Sequence, residues 1–177
     1  MVRGDGVAIE GLTLQPLAEA RLDEVRALHA LSFEVLATAV HSREQIAAHV
    51  KYMRADTYAD ELRACQMMMA LLPDGALVAT AGWNPVEDAP GTARVRKVFV
   101  RPDLARRGLG KRMVLDAEVR ARAAGLSRLI VRANVNAVPL YHSLGYREER
   151  SGTMAVADGV ELPVVFMLKD GPAAAGA

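Results

Sequence analysis

The sequence of 177 residues predicts a single mixed α/β domain with a mostly antiparallel sheet. Segments with strand and helix periods follow one another in the order β-α-α-β-β-β-α-β-α-β-β. One strand–helix–strand unit in the second half requires a parallel pair, and short turns on either side indicate antiparallel hairpins. The sequence contains no internal repeat and no linker, so we expect one domain over residues 1–170. We expect a disordered, low-complexity tail over residues 171–177.

Composition limits the classes of function. Hydrophobic residues make up 51% of the chain, which supplies a full core, and a net charge of +1 gives no bulk attraction to nucleic acid or to a membrane. No apolar run approaches the roughly 20 residues of a membrane span. We therefore expect a cytoplasmic protein with no nucleic acid and no membrane as partner. The single Cys65 lies in an apolar run and is expected to be a buried thiol.

The first elements are one strand and two helices. Leu12 to Leu17 is predicted to form the first strand. Apolar residues then recur at helical spacing from Leu22 to Leu31, which predicts the first helix. A second helix is predicted from about Ser42 to Met53, because Ser42 can cap its start and Gln45 completes a capping box.

Three strands follow these helices. Gln66 to Leu72 and Ala76 to Trp83 are joined by the sequence PDG, which is a strong hairpin signal. The third strand, "TARVRKVFV", begins by alternation, with Val95 inward between the outward Arg94 and Arg96. Its last three residues are continuously apolar, which predicts a bulge or burial on both faces.

A long helix and a further strand complete the predicted crossover. The helix runs from about Leu109 to Ala124, with an apolar stripe at every fourth residue, and Gly125 ends it. The strand "SRLIVRANV" follows, and "NAVPLYHSLG" is predicted to form a short helix that ends at Gly145. The last two strands, in "TMAVA" and "VELPVVFMLK", form a hairpin around Asp158 and Gly159.

The stretch "RPDLARRGLGKRM" places glycines and cations at the start of the long helix. Backbone N–H groups in a first helical turn have no partner within the helix and lie at the positive end of its dipole. Gly108 and Gly110 carry no Cβ atom that would obstruct a phosphate, and the neighbouring Arg and Lys side chains add positive charge. The turn therefore predicts an anion site that suits a diphosphate.

Two common phosphate-binding motifs do not fit this turn. A P-loop requires G-x-x-x-x-G-K-[ST], but Ala105 replaces its first glycine and Arg112 replaces its Ser or Thr. The dinucleotide-binding pattern G-x-G-x-x-G fails at Met113. A solvated basic turn, with glycines that allow tight packing, is the structural alternative.

A second motif follows the parallel strand. The segment "NVNAVPLYHSLGYR" has the pattern N-x-x-A-x-x-L-Y-x-x-x-G-Y, formed by Asn134, Ala137, Leu140, Tyr141, Gly145 and Tyr146. Together with R-R-G-L-G-K at this separation, it resembles the GCN5-related N-acetyltransferase (GNAT) family. The resemblance is sharp from about Thr92 to Tyr146 and agrees in element order from Leu12 to Lys169.

The resemblance implies a GNAT fold of the α/β (α+β) class. Its mixed, mostly antiparallel sheet of about seven strands is flanked by about four helices. The central parallel pair, the fourth and fifth strands, is splayed for coenzyme A. The implied co-substrate is acetyl-CoA, and no metal is implied.

The resemblance also implies which residues hold acetyl-CoA. The backbone at residues 98–100 would pair with the pantetheine arm and the acetyl carbonyl, and residues 106–111 would surround the pyrophosphate. Ala105 stands where the family often has Gln or Arg. The implied cofactor-binding residues are Val98, Phe99, Val100, Arg106, Arg107, Gly108, Leu109, Gly110, Lys111 and Asn134.

Two side chains downstream have implied roles and structural alternatives. Asn134 would contact the cofactor arm or tie its strand to the following helix. An ordinary N-cap is the alternative for Asn134, and Asn136 competes for that position. Tyr141 matches the general acid of the family, which protonates the departing thiolate, and a core tyrosine is the alternative.

The sequence leaves the general base and the acceptor pocket open. The strand at 92–100 carries no carboxylate, and Leu129 stands where ribosomal-protein N-terminal acetyltransferases have a Glu. A chain of water molecules is an equal alternative to a side-chain base, and each candidate acid could be an ordinary surface carboxylate. The candidates for the base and the substrate pocket are Glu34, His41, Trp83, Glu87 and Asp88.

The function that the resemblance implies is an acetyl-CoA-dependent N-acetyltransferase, an acyltransferase. Its acceptor would be a primary amine on a small molecule or a peptide. Direct attack in a ternary complex is expected, because Cys65 matches no covalent intermediate. The rival interpretations are a non-catalytic acyl-CoA-binding domain with the same fold and a nucleotide-phosphate-binding module. Homodimers are common in the family, but the sequence fixes no interface.

Overall fold

The computed structural model describes residues 9–171, so residues 1–8 and nearly all of the predicted tail lie outside the described residues. The strands are β1 (Thr13–Pro16), β2 (Gln66–Leu71), β3 (Leu77–Pro85), β4 (Thr92–Val100), β5 (Arg128–Asn134), β6 (Arg147–Ala155) and β7 (Glu161–Lys169). The helices are α1 (Leu22–Leu36), α2 (Arg43–Met53), α3 (Asp56–Arg63), α4 (Leu109–Ala123) and α5 (Val138–Ser143).

The seven strands form one sheet in the order β1-β2-β3-β4-β5-β7-β6. The β4–β5 pair is parallel, and every other pair in the described sheet is antiparallel, which confirms the predicted fold class. Helices α1, α2 and α3 pack on one face of the sheet, and α4 and α5 pack on the other. The sheet is therefore the middle layer of three.

Helix α4 packs through the stripe that the sequence predicts. Leu109, Met113, Ala117 and Ala121 are buried against β3 and β4. The helix ends one residue earlier than expected, so Ala124 is its C-cap and is exposed. Removal of this apolar stripe from water holds α4 against the sheet.

Helix α2 begins with the predicted capping box. The Ser42 hydroxyl accepts from the Gln45 N–H at 3.1 Å, and the Gln45 side chain accepts from the Ser42 N–H at 3.0 Å. These bonds satisfy backbone groups that a helix start leaves without partners. They fix the entry of α2, whose His49 and Tyr52 face the gap described below.

Two elements differ from the expectation. The described residues form five α-helices instead of the expected four or so, and the additional one is α3. Its eight residues bury only Tyr58, Ala59 and Leu62, which is too short a pattern to stand out from its polar neighbours. Strand β6 begins at Arg147, earlier than the "TMAVA" segment, because it is an edge strand with mostly exposed, charged residues that hide the alternation.

Strand β4 contains a bulge next to its junction with β5. Thr80 pairs with Phe99 and Gly82 pairs with Arg96, so two residues of β4 lie opposite Ala81 alone. The first of the two, Lys97, has a φ of 58°, in the left-handed region. The break in alternation that the sequence predicts is thus confirmed as a bulge.

A chain of buried hydrogen bonds holds this bulge. The Thr80 hydroxyl donates to the Lys97 carbonyl at 2.7 Å, so it must accept from His29 Nε2, also at 2.7 Å. His29 Nδ1 is then the acceptor for the Tyr58 hydroxyl at 2.8 Å. Burial lowers the pKa of His29 well below its usual value, which keeps this tautomer neutral. The ring also stacks on Phe99, with centroids 4.1 Å apart.

We expect Thr80→Val to destabilise the protein by about 1–3 kcal/mol, because it leaves the His29 N–H buried without an acceptor. Urea unfolding measures this change. Thr92→Val is the matched control, because Thr92 is a buried threonine whose hydroxyl bonds no described residue. The control should be nearly neutral, and equal losses in the two variants would contradict the role assigned to the chain of bonds.

Candidate functional site

A gap opens between the two central strands. Strands β4 and β5 pair from Thr92 to Arg94 and from Arg128 to Ile130, and beyond these residues they separate. The cavity in the gap encloses about 120 Å³ and is lined by residues from β4, β5, α2, α3 and α5. The bulge at Lys97 lies on its wall, so the hydrogen-bond chain above shapes the opening.

The edge of β4 in this gap has no strand partner. From Val95 to Val100 the strand pairs with β3 on one side only. Val98 and Phe99 line the cavity, and Val100 follows them as the last residue of the strand. An open strand edge offers backbone N–H and C=O groups to an extended ligand.

The glycine turn lies beyond the end of β4 and presents a row of backbone donors. None of the N–H groups of residues 106–111 donates to another residue in the described part of the chain. Arg106 and Gly108 have left-handed φ values of 63° and 80°, whereas Ala105 before them is extended, with a φ of −62° and a ψ of 153°. Free N–H groups in a turn beside a helix start can form a concave surface that favours an anion.

The two glycines of the turn serve different purposes. Gly108 is the N-cap of α4 and has a φ of 80°, which side chains disfavour. Gly110 has no such constraint. A Cβ atom there would make only ordinary contacts, at 3.5 Å to Leu140 and 3.6 Å to Val100. The fold itself therefore does not require glycine at 110, and the bare backbone leaves space between the end of β4 and α5.

Tyr141 and Asn134 lie on the α5 side of the cavity. Tyr141 is 6% exposed, packs edge-on against Tyr146, and its hydroxyl bonds no other described residue. Burial raises its pKa, so the phenol keeps its proton at neutral pH. Asn134 precedes a short turn at Val135–Ala137 without a capping bond, and its half-buried side chain lines the cavity. Asn136 instead donates to the Leu36 carbonyl at 3.4 Å.

The opposite wall carries a buried lysine held by a carboxylate. Lys97 Nζ lies 2.9 Å from a Glu61 oxygen and 3.6 Å above the Tyr58 ring. Burial lowers the pKa of Lys97 to about 8, against the opposing effect of Glu61. Burial also disfavours the charged form of Glu61, but hydrogen bonds from Tyr52 and Lys97 outweigh it and hold its pKa below the usual value.

Three arginines project into the same cavity. Arg94 and Arg96 come from β4 and Arg132 from β5. Arg96 pairs with Glu61 at 2.6 Å, whereas no acidic residue in the described chain pairs with Arg94 or Arg132. Partial desolvation and repulsion from the two β4 arginines lower the pKa of Arg132. The cavity is therefore strongly cationic.

The structure does not bring the predicted substrate residues to the cavity. Glu34 lies on the outer side of α1, and Glu87 is exposed in the β3–β4 turn, next to the closed end of the strand pair. Trp83 packs in the core beneath α4, on the opposite face of the sheet. His41 is buried beside Phe33, whose ring is 5.3 Å away, and does not line the cavity.

The residues that do form this wall were not candidates in the sequence. Arg94 and Arg96 appear there as the outward positions of an alternating strand. Arg132 has the same pattern in β5, between the buried Val131 and Ala133. One pattern in the sequence could have indicated this wall. These outward positions, on two strands that are predicted to be neighbours, are all occupied by arginine. No pattern in the sequence marks Glu61, because it belongs to α3, the helix that the sequence does not predict.

The described residues lack the features of a metal site, a membrane span or a reactive thiol. Within residues 9–171 no group of three or more His, Cys, Asp or Glu side chains is arranged to hold a metal ion. No helix in the described range has both the length and the apolar composition that crossing a membrane requires. Cys65 is buried, which raises its pKa to about 11 and suppresses the reactive thiolate.

Comparison with known proteins identifies the family to which these features correspond. The model of the acetyltransferase (GNAT) family matches residues 23–146, well over half of the chain. No curated protein matches the chain by sequence. The matched range includes the bulge, the glycine turn and the segment with Asn134 and Tyr141.

Solved structures share the fold at low sequence identity. A GCN5-related N-acetyltransferase from Rhodopseudomonas palustris has a TM-score of 0.79 and 23% identity, covering 93% of this chain and 98% of its own. The PaiA N-acetyltransferase of Thermoplasma acidophilum, solved with coenzyme A, has a TM-score of 0.72 and 15% identity over 90% and 99%. The ribosomal-protein-S18-alanine N-acetyltransferase of Escherichia coli has a TM-score of 0.65 and 19% identity, covering 94% of this chain and 98% of its own.

Buried neutral histidines make the stability of the fold depend on pH. Burial lowers the pKa of His29, His41 and His49, the last to about 3. Below a pH of about 6.5 the unfolded chain therefore binds protons that the folded chain does not. We expect the free energy of unfolding to fall between about pH 6.5 and 4.5, by up to about 1.4 kcal/mol per pH unit for each histidine.

Urea titrations across this range measure the slope. His49→Gln removes one titrating group, so its slope should be smaller by up to that amount. A wild-type stability that does not change from pH 6.5 to 4.5 would contradict the neutral assignment.

Proposed function

Because this chain belongs to the acetyltransferase (GNAT) family, an acyltransferase family, we propose that it transfers the acetyl group of acetyl-CoA to a primary amine within a ternary complex. The observation that carries the proposal is the gap between β4 and β5, which leads from a row of free backbone donors to a protonated phenol. Acetyl-CoA and the acceptor amine could enter this gap from opposite ends and meet at the bulge.

The chain offers coenzyme A two kinds of backbone contact. The N–H groups of residues 106–111 would bind the pyrophosphate, with the exposed Arg106, Arg107 and Lys111 adding charge. The open edge at Val98–Val100 would pair with the amide groups of the pantetheine arm. Asn134 would approach the same arm from β5. Most of these contacts are made by backbone, which explains why Ala105 can replace a polar residue.

Tyr141 supplies the proton that the reaction requires. Attack of an amine on the thioester carbonyl expels a thiolate, which needs a proton as it departs. The Tyr141 phenol is protonated, opens on the cavity and has no competing partner among the described residues. The backbone N–H of Val100, which faces the open edge of β4, would stabilise the negative charge that forms on the acetyl oxygen.

Removal of the amine proton does not need a dedicated carboxylate in this proposal. No Asp or Glu among the described residues lines the cavity, and Glu61 is already engaged by Tyr52, Arg96 and Lys97. We assign the proton to water in the open part of the cavity. The missing carboxylate also favours the rival, a domain that binds acyl-CoA without catalysis, and the second experiment below separates the two.

Gly110→Ala tests the donor site. The new Cβ atom makes no clash within the protein and should leave stability unchanged or slightly higher, since alanine favours the helix by about 1 kcal/mol. It narrows the space between Val100 and Leu140, so we expect affinity for acetyl-CoA to fall at least about tenfold, which is about 1.4 kcal/mol. Calorimetry measures it. Val119→Ala, on the exposed side of the same helix, should bind normally, and unchanged binding by Gly110→Ala would contradict the site.

Tyr141→Phe tests catalysis. Loss of a general acid should lower kcat by about 10²–10⁴-fold while acetyl-CoA binding is retained. Thiol release with a panel of primary amines provides the assay. Tyr146→Phe is the matched control, because it removes the hydroxyl of the adjacent ring, and it should keep most activity. An unchanged rate in Tyr141→Phe removes this residue as the acid, and binding of acetyl-CoA without turnover of any amine supports the rival.

A further inference from the structure

The cavity contains far more positive charge than the protein itself neutralises. Four cations line it, namely Arg94, Arg96, Lys97 and Arg132, and no carboxylate does so among the described residues. Glu61 lies behind this wall and pairs with only two of them, Arg96 at 2.6 Å and Lys97 at 2.9 Å. Like charges held close together repel one another, and the exposed Arg94 and Arg132 can be reached by an anion whose entry would relieve that repulsion.

The unpaired charge is concentrated on one face of the sheet. Arg132 and Arg150 each lie opposite Phe166 in neighbouring strand pairs, so these three side chains share a face. The Arg150 guanidinium stacks on the Phe166 ring at 3.6 Å. No acidic side chain in residues 9–171 pairs with Arg94, Arg132 or Arg150, although arginines elsewhere, such as Arg128, have acidic partners.

This charge does not belong to the donor site. Arg94 lies six residues before the end of β4, which is about 20 Å along an extended strand. The pyrophosphate site proposed above begins beyond that end, at residue 106. Arg94, Arg96 and Arg132 lie on the α2 and α3 side of the sheet, whereas the glycine turn leads into α4 on the other. The arginines are therefore available to a second ligand.

We propose that the acceptor amine also carries a compact oxyanion, a carboxylate or a phosphate, which Arg132 and Arg94 bind. Guanidinium groups bind both oxyanions through two parallel hydrogen bonds, which suits a ligand that must be oriented as well as held. With its anion held there, the amine at the other end of a small acceptor could point to the bulge and the acetyl group. This inference rests on the proposed function and names its substrate class.

The proposal accounts for features that a simple cationic amine does not. The field of four cations would repel a plain ammonium ion. Glu34 and Glu87, which the sequence offers as substrate residues, lie away from the cavity and cannot attract an ammonium ion into it. An acceptor with its own negative charge resolves this repulsion.

Anion binding can be measured without catalysis. Calorimetry titrates the CoA-saturated protein with N-acetylglycine, a carboxylate without a free amine, and with inorganic phosphate. We expect one or both to bind to the wild type, and Arg132→Gln to weaken that binding at least about tenfold, as for loss of a charged hydrogen bond. Arg128→Gln is the matched control, since Arg128 lies on the same strand but pairs with Glu149 and Asp170 outside the cavity.

Acetyl transfer provides the second measurement. Amino acids are compared with their amides, and ethanolamine phosphate with ethanolamine, with each rate referred to the concentration of unprotonated amine, so that the remaining difference within a pair is the anion. We expect kcat/KM to favour the anionic member at least about tenfold in the wild type and in Arg128→Gln, and the preference to fall toward equality in Arg132→Gln. Affinity for acetyl-CoA should stay within about twofold in all three.

The outcomes separate this inference from the proposed function. Anion binding that depends on Arg132, without acetylation of any amine, keeps the anion site but overturns the proposed function, whereas absence of binding by both anions overturns the site itself. Acetylation of neutral amines as efficiently as of anionic ones overturns the inference alone. A loss of acetyl-CoA affinity in Arg132→Gln also overturns it, because the arginine would then belong to the donor site. Preference for carboxylate or for phosphate within the pairs identifies the oxyanion.

Discussion

The hydrogen bond from Thr80 to the Lys97 carbonyl is the constraint on which the site depends. It holds a bulge in a strand that would otherwise continue its pairing, and the bulge lies where β4 and β5 separate. The same bulge turns the Lys97 side chain toward Glu61 and Tyr58, and it places Phe99 against His29. A buried histidine, held neutral in one tautomer, thus determines both the shape of the gap and part of its charge.

The positive potential at the two ends of the gap has different sources. At the glycine turn, positive potential comes from free N–H groups and the start of α4, with mobile side chains around them. In the cavity, it comes from guanidinium groups on rigid strands, partly fixed by Glu61. Backbone N–H groups suit a ligand whose structure does not vary, such as coenzyme A. Side chains can be substituted during evolution, so they suit selection among different acceptors. Chemistry then requires little more than a proton source between the two ends, which Tyr141 provides in this proposal.

Local signals in the sequence were sufficient for most of the fold. The capping box at Ser42, the stripe of α4 and the loss of alternation in β4 each report nearest-neighbour physics, and the structure has all three. The glycine turn was equally visible in the sequence, because helix starts and glycines have local meaning. The cationic cavity was not visible there. Alternation shows that Arg94 points away from Val95, but only tertiary packing shows that α2 and α3 enclose the face to which it points.

Calorimetric titration with acetyl-CoA, beside ATP as a ligand with similar phosphates, tests the central claim most directly. The gap in β4–β5 and the turn at 106–111 predict saturable binding of one acetyl-CoA per chain and much weaker binding of ATP, which lacks the pantetheine arm for the open strand edge. Absence of acetyl-CoA binding at millimolar concentration, or equal affinity for the two ligands, would contradict the account.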